Sequence, residues 1–200
     1  MLVWNGGYGA TGADRAISES GGIMKAGRLI TRVAIGGLFI GHGTQKLFGW
    51  FDGPGLEGAS KMMESLGLRP GRRNATAASV AEAGGGAMIV AGALTPLAAA
   101  ALIGTMVTAI RTVHLKNGFW AAKGGYEFNL ALIAALLALV DGGPGELSVD
   151  GALGIHDTGG GWALFALAAG AAGSTAVIEL GRRAEAKTEA EVAAPAQAEV

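Results

Sequence analysis

The 200-residue sequence contains no cysteine. Without thiols the chain cannot form a disulfide, carry out thiol redox chemistry, or hold an iron–sulfur cluster or zinc ion through cysteine. Charged residues are also scarce, at 16% of the chain, whereas hydrophobic residues make up 50%. With a mean hydropathy of +0.42, the sequence is too apolar for an ordinary soluble domain. Glycine is abundant, at 36 residues, which favours closely packed helices.

Weakly patterned segments lie at the two ends of the chain. Residues 1–25 are glycine-rich and are predicted to be a disordered N-terminal extension. Met24 begins a basic stretch, so either Met1 or Met24 could be the true start of translation. A signal peptide ending near Gly41 is rejected, because no small-x-small cleavage site follows the apolar run. Residues 181–200 are rich in alanine and glutamate and are predicted to be a charged disordered tail.

Between these ends, five apolar segments alternate with turn signals, at residues 26–48, 75–94, 97–115, 126–140 and 161–180. About 20 apolar residues in a helix cross the ~30 Å hydrocarbon core of a membrane. Residues 56–67 are amphipathic and are predicted to lie in the membrane interface. The sequence therefore predicts an all-α integral membrane protein. A four-helix transmembrane bundle occupies residues 26–150, with the interfacial helix between its first two spans, and a loop and fifth transmembrane helix occupy residues 151–180.

The first span carries a small-xxx-small pair, Gly37 and Gly41, which is expected to let another helix approach closely. Basic residues indicate the orientation of the bundle. Most of the 15 Lys and Arg residues fall on the side of the C-terminus. The positive-inside rule therefore predicts a cytoplasmic C-terminus. Arg28 and Arg32, beside the first span, favour the opposite orientation.

Ionisable residues cluster at one end of the predicted bundle. Because successive spans alternate in direction, the end of the first, the start of the second, the end of the third and the start of the fourth share one membrane face. The polar residues that fall there are His42, Lys46, Glu82, Arg111, His114, Glu127 and Asn129. An ionisable residue inside a membrane segment is costly, which makes it a functional-site hypothesis. His42 and Glu82 lie deepest and are the candidate catalytic residues, and the other five are candidate cofactor-binding residues.

Several of these residues also have a plainer interpretation. Lys46 and Arg111 could simply extend to the interface, as long basic side chains often do. Glu127 lies near a helix start, where a carboxylate complements the helix dipole. Asn129 could only bridge two helices.

Metal and haem chemistry are weaker alternatives. Haem ligation by His42 and His114 is geometrically possible, as is a metal site that adds Glu82 to these histidines. The third histidine, His156, lies in a loop on the opposite face and cannot join them. We therefore expect no metal and no haem, and the sequence gives no support for nucleic-acid binding.

Four short stretches carry a family resemblance: residues 41–49 (GHGTQKLFG) with Gly53-Pro-Gly55 after them, residues 56–67, residues 81–85 (AEAGG) and residues 125–130 (GYEFNL). At these residues the sequence resembles the DoxX family of small bacterial and archaeal membrane proteins. The resemblance implies a four-helix membrane bundle, a link to thiosulfate- or quinol-oxidising membrane complexes, and a role for some members beside soluble redox enzymes in oxidative-stress defence. Asp52, where such sequences often have glycine, and the fifth span depart from the family pattern.

Two functions are compatible with these residues. The first is a quinone-linked membrane redox subunit, in which His42 and Glu82 hydrogen-bond a quinone and relay protons while Lys46 or Arg111 stabilises its reduced form. The second is a non-catalytic membrane platform that docks or stabilises a soluble redox enzyme or a respiratory complex. A proton-linked transporter is a third, weaker option. Whether the protein is an enzyme, and with which substrate, electron donor and oligomeric state, is left open by the sequence.

Overall fold

The computed structural model describes residues 12–193, and this part of the chain is helical apart from its turns, with no strand. The all-α prediction is therefore confirmed. The helices are α1 (Gly12–Phe48), α2 (Gly55–Ser65), α3 (Gly71–Ala91), α4 (Thr95–Ala109), α5 (Glu127–Gly142), α6 (Val149–Ala152) and α7 (Gly160–Ala193). A π-helical turn, Ile110–His114, and a 3₁₀ turn, Leu115–Asn117, continue α4, and a second 3₁₀ turn, Ala121–Lys123, precedes α5.

Two helix boundaries differ from the predicted ones. The first helix begins at Gly12, so residues 12–25 are helical, and the remainder of the expected disordered extension lies outside the described residues. The last helix continues to Ala193, beyond the predicted end of the fifth span, and residues 194–200 are likewise outside the described residues. Alanine, glutamate, arginine and lysine are strong helix formers, which explains why the charged segment after residue 180 continues the helix.

The interior of the bundle is built around α4, which packs against α3, α5 and α7, while α1 packs along α3. Its largest fully buried apolar side chains are Phe39, Ile89, Leu102, Ile103, Leu136 and Val140. A second, smaller cluster around Met63 and Ile178 fixes the amphipathic α2 against α3 and α7. One face of α2 therefore covers parts of α3 and α7.

Glycines bring α1 and α3 into direct backbone contact. A Cβ atom added at Gly36 would lie 2.5 Å from the carbonyl oxygen of Gly86, and one at Gly43 would lie 2.5 Å from the amide nitrogen of Ala83. The predicted pair, Gly37 and Gly41, has no such neighbour within 4 Å. The expectation of a close approach was correct, but its residues were wrong, because the buried face of α1 is centred on Gly36 and Gly43.

Large apolar side chains cover much of the outer surface, as a lipid-facing bundle requires. Examples with high exposure are Ile30, Leu38, Leu130, Leu164 and Leu180. Two helical stretches in the described part of the chain are long and apolar enough to cross a membrane, Thr95–Asn117 with 23 residues and Gly160–Thr188 with 29. At 1.5 Å per residue the shorter stretch is about 34 Å long, which matches the hydrocarbon core.

Candidate functional site

The deepest polar contact at the predicted end of the bundle joins α1 to α3. Lys46 Nζ lies 2.6 Å from Oε1 and 2.5 Å from Oε2 of Glu82. The side chain of Glu82 is only 4% exposed and that of Lys46 is 21% exposed. The backbone contact at Gly43 brings the last turn of α1 within reach of the middle of α3. Because a buried carboxylate is costly without a partner, Lys46 makes the position of Glu82 tolerable.

This ion pair lies on the wall of a cleft of about 400 Å³. The cleft runs between α3, α4 and α7, and the Met62 and Met63 side chains of α2 border it at one end. Small residues of α4 and α7 supply most of the remaining wall: Ala100, Ala101, Gly104, Ala169, Gly170 and Gly173. Its volume is within the range of small-molecule sites, and its lining is predominantly apolar.

The cleft exists because α4 and α7 approach closely through small side chains. A Cβ atom at Gly170 would lie 2.8 Å from the carbonyl oxygen of Ala100. On either side of this crossing, the facing surfaces of α4 and α7 consist mainly of alanine, glycine and threonine. These side chains are too small to fill the space beside the crossing. Thr105, Thr108 and Thr112 also line the cleft, but each hydroxyl donates to a carbonyl of its own helix. Among the described residues that line the cleft, Lys46 and Glu82 are the only charged ones.

His42 does not face this cleft. It is exposed, and among the described residues its ring has no hydrogen-bond or ion-pair partner. The buried face of α1 passes through Gly36, Phe39 and Gly43, and at 100° per residue His42 falls to one side of it. Lys46, one turn later, is rotated about 40° closer to that face and has a side chain long enough to reach Glu82.

The other four predicted residues make separate local contacts, so the seven residues do not form one chamber. Arg111 Nη1 donates to the hydroxyls of Ser174, at 3.3 Å, and Thr175, at 3.0 Å, both on α7. Asn129 is buried, with its Nδ2 3.4 Å from the sulfur of Met106. Neither residue lines the cleft.

His114 and Glu127 fix the connection between the third and fourth predicted spans. His114 Nδ1 lies 2.8 Å from the carbonyl oxygen of Gly124, so this nitrogen carries the proton in that contact. The Glu127 carboxylate accepts a 2.8 Å hydrogen bond from the amide of Ala121. These contacts order a loop whose Phe119 and Trp120 rings pack edge to face. Both residues therefore have a structural role in the geometry of this loop.

A buried arginine at the opposite end of the bundle was not among the predicted residues. Arg32 is 3% exposed, and its guanidinium donates to the carbonyl oxygens of Pro144, at 2.6 Å, and Val90, at 2.8 Å. It thereby joins α1 to the end of α3 and to the segment after α5. This half of the bundle therefore also contains a buried charge. An arginine within an apolar run was the available signal, but it was interpreted only as a marker of orientation.

Asp150 completes this second network. Its carboxylate accepts hydrogen bonds from the amides of Leu94, at 2.7 Å, and Thr95, at 3.0 Å, and from the Thr95 hydroxyl, at 2.7 Å. Its own amide donates to the carbonyl oxygen of Gly92, which has a φ of 64° and contacts Arg32. A side chain at Gly92 would be strained, and its Cβ would lie 2.5 Å from the Cβ of Ser148. The network locks the α3–α4 turn to the segment before α7.

No group of three His, Asp or Glu side chains suited to a metal ion occurs among the described residues. The sequence alternative that combined His42, Glu82 and His114 is therefore not assembled as a metal site in this part of the chain.

With the geometry established, the chain can be compared with known proteins. The sequence model of the DoxX family matches residues 27–115. This chain carries a DoxX domain. The family resemblance is confirmed, and the matched part contains Lys46, Glu82 and Arg111, whereas α5 and α7 follow it. No curated protein and no solved structure matches the chain.

The match to this membrane-associated family agrees with the two long apolar stretches, and together they indicate a helical membrane protein. The family match assigns no reaction to the chain.

Proposed function

We propose that the protein is a membrane redox subunit that binds a quinone or quinol in the cleft, with the head group beside Lys46 and Glu82. The observation that carries this proposal is a buried ion pair facing an otherwise apolar cleft of about 400 Å³. A quinone is a flat apolar ring with two carbonyl oxygens and a hydrocarbon tail. It needs a narrow apolar space and a hydrogen-bond donor, and this cleft supplies both.

Lys46 is the donor suited to a carbonyl oxygen. Its ammonium carries three protons, two of which are directed to the Glu82 carboxylate, and its side chain is partly accessible from the cleft. Glu82 orients Lys46, and its carboxylate is the proposed proton acceptor and donor beside the head group. A bound quinone would supply a two-electron, two-proton redox change. Because the chain has no thiol, the electrons would come from a partner protein or directly from a substrate.

The test is quinone binding to purified protein in lipid nanodiscs, measured with a short-chain quinone analogue. We expect Glu82→Gln and Lys46→Met each to weaken binding about 10- to 100-fold, because hydrogen bonds to charged groups contribute about 1.5–3 kcal/mol. The chain offers a matched control in Glu57 and Lys61 of α2, a Lys–Glu pair at 2.8 Å that is largely exposed. Hydrogen bonding from Lys61 lowers the pKa of Glu57, so this pair is also charged.

Glu57→Gln and Lys61→Met should leave quinone binding within twofold of the wild type. Unchanged binding in both cleft variants would remove the ion pair from the site. Equal losses in the cleft and control variants would show that the effect is a general consequence of charge removal.

A non-catalytic docking platform is the second candidate, and one contact favours it. Arg69 Nε lies 3.5 Å from Glu185 Oε1, so the segment between α2 and α3 is joined to the charged end of α7. Together with the exposed Arg72 and Arg73, these residues form one charged surface at this end of the bundle. Such a surface would suit a soluble redox enzyme or a respiratory complex. Mild-detergent purification should then recover a partner, and loss of that partner from an Arg72→Gln, Arg73→Gln protein would support this candidate.

For the topology, we propose that α1, α3, α4, α5 and α7 each cross the plasma membrane of a prokaryote, with α2 in the interface and the C-terminus in the cytoplasm. The charged Lys61–Glu57 pair faces solvent on α2 while Met63 faces the bundle, as an interfacial helix requires. The absence of cysteine makes a clean test possible, because a single introduced thiol is the only labelling site. A thiol at Lys187 should be protected from an impermeant maleimide in intact cells, and one at Asp157 should react.

A further inference from the structure

A second cavity, of about 360 Å³, opens at the end of the cleft nearest the charged part of α7. Leu66, Leu68 and Thr112 line both spaces, so the cavity and the cleft share a wall. The two spaces differ in character. The cleft is mainly apolar, whereas the cavity presents the charged side chains of Arg111, Arg182 and Glu185.

The charge of this cavity is positive. Glu185, its one carboxylate, already faces the guanidinium of Arg69 at 3.5 Å. Arg111 bonds only to neutral hydroxyls of α7, and Arg182 has no hydrogen-bond or ion-pair partner among the described residues. Two guanidinium groups are thus left without a compensating anion. Arginine is the side chain best suited to phosphate oxygens, because its planar fork can bind two of them at once.

The backbone helps to place one of these arginines. Arg111 lies in the π-helical turn that ends α4, six residues before the end of the apolar stretch Thr95–Asn117. Its contacts with Ser174 and Thr175 hold the guanidinium against α7. This places a fixed positive charge near the end of a membrane-length helix, where lipid head groups lie.

From this juxtaposition we propose that the protein binds an anionic phospholipid at this end of the bundle. Its phosphate lies between Arg111 and Arg182, and part of an acyl chain enters the cleft past Leu66 and Leu68. The positive cavity selects the phosphate, and the adjoining apolar cleft selects a lipid over free phosphate. The proposal does not depend on quinone binding, because the phosphate and quinone head-group positions use different residues.

The test compares lipids bound to the detergent-purified full chain by native mass spectrometry. Phosphatidylglycerol, phosphatidylcholine and inorganic phosphate are the three probes. We expect phosphatidylglycerol to bind the wild type in preference to phosphatidylcholine, and millimolar phosphate to displace little of it. Arg111→Gln with Arg182→Gln should weaken phosphatidylglycerol binding about 30-fold, since each basic residue near a lipid surface contributes about fivefold.

The matched control is Arg72→Gln with Arg73→Gln, which removes the same charge from two exposed residues outside both cavities. An equal loss in this control would overturn the proposal, since lipid retention would then reflect net charge alone. Retention of phosphatidylglycerol by the Arg111, Arg182 variant would also overturn it, as would displacement by micromolar inorganic phosphate. If the double variant fails to fold, Arg182→Gln alone, at an exposed position, should still weaken binding about fivefold.

Quinone binding by the same variants distinguishes the lipid-binding proposal from the quinone-binding proposal. The Arg111, Arg182 variant should bind the quinone analogue as the wild type does. Glu82→Gln should lose quinone and keep phosphatidylglycerol. A quinone loss in both variants, with lipid binding unchanged in both, would show that the two arginines serve the quinone and not a lipid, which would contradict the inference.

Discussion

Lys46→Met should destabilise the bundle strongly at pH 7. Methionine keeps much of the volume of the lysine side chain but leaves the Glu82 carboxylate, only 4% exposed, without its cation. Breaking a buried ion pair by removing one partner costs about 3–5 kcal/mol, because the remaining charge is uncompensated.

For a chain of about 200 residues, a difference of 3 kcal/mol lowers the melting temperature by roughly 6–12 °C.

Thermal unfolding of both proteins in the same detergent at pH 7 measures this difference. The double variant Lys46→Met, Glu82→Gln should recover most of the lost stability, because it leaves no buried charge. Lys61→Met, which breaks the exposed pair with Glu57, should change the melting temperature by less than about 2 °C, since exposed pairs contribute about 0–1 kcal/mol. A Lys46→Met protein as stable as the wild type, or a double variant as unstable as Lys46→Met, would refute the reasoning.

Three further predictions concern the packing and the polar residues outside the ion pair. Gly36→Ala should lower stability by roughly 1–3 kcal/mol, because its Cβ would overlap the carbonyl oxygen of Gly86, whereas Gly37→Ala should be neutral or slightly stabilising in thermal unfolding. Asp150→Ala should cost about 3 kcal/mol or more, because two amides and a hydroxyl lose their buried acceptor, and accelerated hydrogen exchange at Leu94 would reveal it. His42→Ala should leave quinone binding within twofold, and a larger loss would return this exposed residue to the site.

Depth along the helices could be predicted from the sequence, because the expected alternation of the apolar segments predicts which end of the bundle each residue occupies. Lys46 and Glu82 were placed at the same end by that reasoning, and the structure joins them. Rotation about each helix axis could not be predicted, because an apolar membrane helix carries no strong difference between its lipid-facing and protein-facing sides. His42 illustrates this: its depth is similar to that of the ion pair, but its direction is outward.

The positions of the glycines in α1 determine how this helix is rotated about its axis. Four glycines lie between residues 36 and 43 of α1. Either the pair Gly36 and Gly43 or the pair Gly37 and Gly41 could have faced a neighbouring helix. Only Gly36 and Gly43 meet the backbone of α3, and this choice sets which side of α1 carries the lysine that reaches Glu82. The sequence pattern contained both possible faces, and only the complementary surface of α3 distinguishes them.

The cleft itself depends on a part of the chain outside the matched DoxX domain. Residues 27–115 provide the ion pair and the α3 and α4 walls, but the third wall is the small-residue face of α7 around Gly170 and Gly173. The positive cavity likewise needs Arg182 from α7 beside Arg111 from the domain. The fifth predicted span is therefore not an addition at the edge of the bundle. It lines the cleft and supplies Arg182 to the adjoining cavity, so both proposed ligand sites are formed by the domain and α7 together.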